Sequence, residues 1–185
     1  WLGDDFLRHF EKTLDSALVY DGKIIKVLRD EALLENGAAA VREVVRHKGA
    51  VAVLAVDDGG SAFFVRQFRY PIGQELLEAP AGKLEAGENP LDCAKRELLE
   101  ECGVAAEGWT ELGPIYTSPG FCDEAIWLFL AKGLSQKAPS PDEDEFLDIV
   151  KMPYAEALQK AQTGFFRDGK TQLLVLRCAE MLQKN

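Results

Sequence analysis

Short apolar runs, broken by glycine, proline and clustered acids, recur along the chain, and their spacing predicts its elements. Residues 4–12 place Phe6, Leu7 and Phe10 on one side of a short amphipathic helix, with Asp4 or Asp5 as its cap. From Ala17 to Val45 the texture changes to short β-like runs, punctuated by the hairpin signals Asp21-Gly22 and Asn36-Gly37, which predict a small antiparallel sheet. Ala50–Val56 and Ser61–Tyr70, joined by Asp57-Asp58-Gly59-Gly60, form a second hairpin feeding a larger core, and Gln74–Ala79 predicts a further strand. The best-marked helix opens at Asn89-Pro90, where Asn caps and Pro suits the first turn, and stops at Gly103. Trp109–Tyr116 and Ala125–Leu130 read as strands separated by the turn-rich Ser118-Pro119-Gly120-Phe121. After a polar loop over Ser135–Asp144, Phe146–Met152 predicts a strand and Pro153–Thr163 a helix, and Asp168 caps a final helix reaching Leu182. There is no internal repeat, and strands and helices mix without regular βαβ alternation. The fold class that follows is α+β, packed around a mixed sheet.

A length of 185 residues allows one well-buried core, and 47% apolar with 28% charged residues is ordinary for a globular protein. The formal net charge of −10 argues against a general nucleic-acid binder, which gains affinity by presenting Lys and Arg to phosphates. An acidic enzyme acting on an anionic substrate needs a cation between the two, so the charge balance hints at bound metal. Cys93, Cys102, Cys122 and Cys178 are widely spaced and have only His9 and His47 as possible companions, which predicts free thiols rather than zinc or disulfides. The first residues carry acids where a signal peptide needs bases, and no apolar run has membrane-spanning length, so a cytoplasmic location without a membrane partner is expected.

The helix from Pro90 to Cys102 carries the candidate chemistry. Glu97, Glu100 and Glu101 are spaced three and four apart and share one face, while Leu91, Ala94, Leu98 and Cys102 form a separate apolar stripe. Such a helix docks on a sheet while holding acids at the edge of the core, and an oxygen-rich cluster of this kind suits Mg²⁺ or Mn²⁺. A solvated charged face paired with Lys95 or Arg96 is the ordinary alternative. The preceding loop argues against it. Gly82 and Gly87 bound Lys83-Leu84-Glu85-Ala86, with Glu88 next, and no Lys-Ser or Lys-Thr pair follows as a P-loop would require.

Gly82, Glu88 and the run Arg96-Glu97-Leu98-Leu99-Glu100-Glu101-Cys102-Gly103-Val104 together resemble a complete Nudix box. The resemblance implies a Nudix fold, with a mixed sheet between helices, and hydrolysis of a nucleoside diphosphate linked to another moiety. It further implies that Glu97, Glu100, Glu101 and the carbonyl of Ala81 hold two or three Mg²⁺ ions, or Mn²⁺. Glu88 and Arg96 would brace loop and helix, with contact of Glu88 to a metal through water as the alternative. Gln67-Phe68-Arg69-Tyr70, the stretch Leu77–Lys83, Val41-Arg42-Glu43-Val44 and the Pro119 segment look like the ADP-ribose pyrophosphatase branch. By that resemblance residues 46–185 form the hydrolase domain, and residues 1–45 exchange across a homodimer, so that Arg42 and Glu124 approach substrate from the other subunit.

Outside the box, Pro119 either forms a simple turn or positions substrate. Arg69 is either a surface charge at a strand end or a cation on the diphosphate. Pro141-Asp142-Glu143-Asp144-Glu145 is either a solvated acidic run or, by the resemblance, a loop that supplies the base. There Glu143 is taken as general base and Glu145 as its metal-linked partner, and Glu101 is expected to be essential for turnover. The expected reaction turns ADP-ribose into AMP and ribose 5-phosphate. A GDP- or UDP-linked hexose is the alternative substrate, and a non-catalytic ADP-ribose sensor is the remaining reading.

Overall fold

The computed structural model describes residues 9–137 and 146–182, which divide into two compact units. The first comprises the N-terminal sheet and the segment Ser118–Glu124. Its strands β1 (Lys12–Asp21), β2 (Ile25–Leu33) and β3 (Ala39–His47) pair antiparallel in that order. Both dipeptide signals mark turns here. Gly37 takes the left-handed φ of 81° that a tight turn demands, and the Asn36 carboxamide accepts from the Ala38 N–H at 3.0 Å. Ser118–Glu124 lies along β3, with Val45 N–H donating to the Phe121 carbonyl at 2.7 Å and Asp123 N–H to the Val45 carbonyl at 3.1 Å.

The helix predicted over residues 4–12 falls largely outside the described residues. Residues 9–11 have no regular structure, and Lys12 already opens β1. Every residue of β1 is exposed within this chain, in keeping with a segment too poor in buried apolar side chains to form a core.

The second unit is built on a seven-stranded sheet. Its strands are β4 (Ala50–Val56), β5 (Ser61–Arg69), β6 (Gln74–Glu78), β7 (Ala81–Lys83), β8 (Val104–Tyr116), β9 (Ala125–Gln136) and β10 (Leu147–Pro153). The order is β10-β5-β4-β9-β8, with β6 pairing β5 and β7 pairing β4, and the β4–β9 pair is parallel while the rest are antiparallel. Helix α1 (Pro90–Cys102) covers one face; α2 (Tyr154–Gln162) and α3 (Gly169–Arg177) cover the other, followed by the single turn α4 (Ala179–Leu182). Covered on both sides, β4 is buried along its whole length, which explains why it reads as an unbroken apolar run instead of an alternating one.

Alternate β4 residues enter different cores. Val51 and Val53 pack with Cys93, Ala94 and Leu98 of α1, whereas Ala52 and Leu54 pack with Ala157, Leu174 and Val175. The strands β8 and β9 run longer than their apolar runs suggest, because backbone pairing continues through polar residues as far as Val104 opposite Gln136. The final helix breaks at Cys178 into α3 and α4. Gly82 and Lys83, expected in a loop, lie instead in the short strand β7, where pairing with β4 fixes the entry to α1. The thiols of Cys93, Cys102, Cys122 and Cys178 are free, and among the described residues no helix is long and apolar enough to cross a membrane.

Candidate active site

Three local features hold α1 against the sheet. The Asn89 side chain accepts from the Leu91 N–H at 2.9 Å, Pro90 occupies the first turn, and Gly103, at φ 63°, closes the helix by donating to the Leu99 carbonyl. The register of β7 places Ala81 opposite Ala52 and Gly82 opposite Val51, so this strand is fixed to the centre of the sheet. A glycine is required there: a Cβ on Gly82 would stand 1.8 Å from the carboxyl carbon and Oε1 of Glu97. The Glu97 carboxylate therefore occupies the space that any other side chain would fill. Glu101 is bound to the same strand, its Oε2 accepting from the Ala81 N–H at 3.0 Å.

These are costly placements for carboxylates. Glu97 is 7% exposed and Glu101 2%, while Glu100 is half-buried. Arg96 supplies compensation. Its Nε and Nη2 each donate to Glu88 at 3.0 Å, and Nη1 donates to Glu97 at 2.7 Å and to Glu100 at 3.0 Å. A further Nη2 contact reaches the Lys83 carbonyl at 3.3 Å, and Glu88 also accepts from the Glu85 N–H at 2.9 Å, so loop and helix are joined through this pair. The Arg96 hydrogen bonds hold the Glu88 carboxyl at about 2, well below its ordinary range, and in return raise the guanidinium pKa. Burial pushes the Cys93 and Cys102 thiols up to about 12, which keeps them protonated on the core side of the helix.

Among the described residues, no three His, Cys, Asp or Glu side chains converge closely enough to enclose an ion. The donor chemistry nevertheless fits a hard divalent cation. Glu88, Glu97 and Glu100 surround the Arg96 guanidinium and Glu101 lies one residue further on against Ala81, so acids outnumber the one cation among them and all of the side-chain donors are oxygens. Two of the acids are held against the backbone of β7, at Ala81 and at the Gly82 cradle.

A second charged cluster lies at the ends of β5 and β6. Arg69 makes a two-pronged pair with Glu78, Nε to Oε1 and Nη2 to Oε2, both at 2.7 Å. Glu78 is 1% exposed and also takes a hydrogen bond from Lys170 of α3. Burial alone would raise the Glu78 pKa, but the Arg69 hydrogen bonds and Lys170 outweigh it and bring it below its usual value. Neither Glu78 nor Lys170 stands out in the sequence as a site residue. The available signal is an acid in the otherwise apolar run Leu76-Leu77-Glu78-Ala79, since a strand buries such a residue only with a partner.

The other site residues read from the sequence lie in the N-terminal unit or outside the described residues. Arg42 on β3 makes a two-pronged pair with Glu11, Nε donating at 2.8 Å and Nη2 at 2.5 Å. Pro119 sits in a turn in which the Phe121 and Cys122 N–H groups both donate to the Ser118 carbonyl, and Glu124 lies 3.4 Å from His47 Nδ1. Glu143 and Glu145 lie outside the described residues.

Comparison with known proteins agrees with the box. The NUDIX domain model matches residues 46–174. An ADP-ribose pyrophosphatase of Bacillus subtilis (strain 168) is 42% identical over 177 residues, covering 94% of this chain and 96% of that protein. A methanol dehydrogenase activator of Bacillus methanolicus is 44% identical over 167 residues, covering 89% and 90%. A GDP-mannose pyrophosphatase of Cronobacter sakazakii (strain ATCC BAA-894) is 36% identical over 151 residues, covering 72% and 78%. The solved structure of an ADP compounds hydrolase superposes with a TM-score of 0.82 at 22% identity, covering 94% and 95%, which establishes the shared fold. The chain belongs to the Nudix family. It is a Nudix hydrolase, of a family generally dependent on divalent metal.

Two outcomes follow from this geometry. Gly82→Ala must displace the Glu97 carboxylate, and Mn²⁺ affinity measured by calorimetry is expected to fall at least about tenfold; unchanged affinity would contradict the cradle. The folded pKa of Glu88, about 2, lies below its ordinary 4.5, so its stabilising contribution is complete above about pH 4.5 and is lost as pH falls towards about 2. The melting-temperature gap between wild type and Glu88→Gln should therefore shrink across that window. A constant gap would contradict the pairing.

Proposed function

We propose that the protein hydrolyses the diphosphate linkage of ADP-ribose, releasing AMP and ribose 5-phosphate, with divalent cations held by Glu97, Glu100, Glu101 and the Ala81 carbonyl. The observation that carries the chemistry is the seating of Glu97 and Glu101 against β7, an arrangement whose negative charge calls for a cation. Bound divalent cations neutralise the diphosphate and lower the pKa of a water. The B. subtilis ADP-ribose pyrophosphatase, alike over almost the whole of both chains, supports ADP-ribose as the substrate.

The residues of the chain divide the work as follows. Arg69 keeps one edge on Glu78, while its Nη1 has no protein hydrogen bond among the described residues and remains to bind a diphosphate oxygen. Glu143 takes the proton from the attacking water, with Glu145 as its metal-linked partner. Pro119 shapes the substrate loop. Arg42 and Glu124 reach substrate across a homodimer formed through the N-terminal unit. The exposed Leu14, Leu18, Val19 and Tyr20 of β1 support such an interface, since they leave apolar surface for a second copy to cover.

A panel of ADP-ribose, GDP-mannose and UDP-glucose, assayed for nucleoside monophosphate with Mg²⁺ and with chelator, tests the proposal. ADP-ribose should be preferred and hydrolysis should stop with chelator, whereas Glu101→Gln should fold normally and lose at least about a hundredfold in kcat. Preference for GDP-mannose, the substrate named for the C. sakazakii relative, would move the enzyme to that specificity. Metal-dependent turnover by Glu101→Gln at near wild-type rate would remove Glu101 from the site.

A further inference from the structure

The charged cluster around Glu78 includes a lysine that the proposed chemistry leaves without a role. We infer that Lys170 is a positioning residue for the hydrolase reaction: acting through Glu78, it fixes the Arg69 guanidinium that meets the diphosphate. The inference rests on the reading of Arg69 as a diphosphate-binding cation.

The hydrogen bonds form a closed ring. Lys170 donates to Glu78 Oε2 and lies 3.0 Å from Asp168 Oδ1, and Asp168 Oδ2 accepts from the Thr171 N–H at 3.0 Å and from its hydroxyl. Thr171 Oγ1 accepts in turn from the N–H of Ala79, next to Glu78, at 2.7 Å. The first turn of α3 thereby closes on residues 78 and 79, two residues before Ala81. On the other side Glu78 spends both oxygens on Arg69. Rotation of the Arg69 guanidinium would require Glu78 to move, and Lys170 prevents that movement.

A purely structural tie between α3 and the sheet does not require this arrangement. Leu174 and Val175 already pack α3 into the core, and Thr171 already bonds the backbone at Ala79. Burying a carboxylate with a lysine is a costly way to add adhesion that apolar side chains provide at less expense. What the lysine adds is a fixed anchor: its charge is balanced by Asp168 at 3.0 Å, and its bond to Glu78 Oε2 holds in place the carboxylate that orients Arg69. The site lies within electrostatic reach of the box: the Glu78 hydrogen bonds raise the Arg69 pKa most, and Asp168 and Glu101 raise it further.

A double-mutant cycle on the full chain tests the inference, with wild type, Lys170→Met, Arg69→Ala and the double variant assayed with Mg²⁺ on the best substrate of the panel. Lys170→Met should raise KM about tenfold with kcat changed less than about threefold, and should add less than about twofold once Arg69 is alanine. Lys170→Arg should recover at least half of the lost kcat/KM. Should Lys170→Met fail to fold, Lys170→Ala, which removes the donor to Glu78 and leaves room for water beside it, replaces it in the cycle. An effect undiminished in the Arg69→Ala background, or absent in the wild-type background, overturns the role of Lys170. An unchanged KM in Arg69→Ala alone overturns the earlier reading of Arg69, and so separates that failure from the failure of the Lys170 inference.

Discussion

The constraint on which the rest depends is the close approach of β7 to the acid face of α1. The Glu97 carboxylate occupies the volume of a missing Gly82 side chain, and Glu101 holds the neighbouring Ala81 N–H. Contacts this short need both elements fixed. The sheet fixes β7 through its register with β4, and the apolar stripe of Cys93, Ala94 and Leu98 fixes α1 against Val51 and Val53. The helix cap at Asn89 and the stop at Gly103 then set which residues reach the strand. A shift of one residue in either element would carry the acids away from the backbone they meet.

The electrostatics follow from that placement. Buried acids repel one another and lose hydration, and Arg96 offsets part of the cost by serving Glu88, Glu97 and Glu100 together. The arginine has two tasks on its two edges. One is the two-pronged pair with Glu88 that ties the loop to the helix; the other is shared between Glu97 and Glu100, which are the carboxylates proposed to hold metal. A divalent cation held as proposed would compete with the guanidinium for the shared edge and leave the loop brace in place.

Much of this was legible in the chain because it is local. Asn89-Pro90, the three and four spacing of Glu97, Glu100 and Glu101, and Gly103 define α1 within a stretch of 15 residues, and the dipeptides Asp21-Gly22 and Asn36-Gly37 mark real turns. What was not legible depends on partners distant in sequence. Gly82 is a strand residue because β4 pairs with it, and β8 and β9 exceed their apolar runs because each extends the other. Arg69 could be read as a free surface cation only while Glu78 was unknown as its partner, and that pairing exists because β5 and β6 fold back on each other. Lys170 stands 92 residues from Glu78, beyond any periodicity of the chain. The order of β4 and β9 as parallel neighbours is likewise a tertiary fact with no local signature.

Helix α1 and strand β7 together line the proposed oxygen-rich cation site, with Arg96 as its internal counter-ion. Anomalous diffraction from crystals grown with Mn²⁺ tests this most directly. Ions are expected between Glu97, Glu100, Glu101 and the Ala81 carbonyl, with Arg96 retaining Glu88 and giving up its contacts to Glu97 and Glu100. Saturating Mn²⁺ bound elsewhere, with Arg96 still on Glu97 and Glu100, would contradict it.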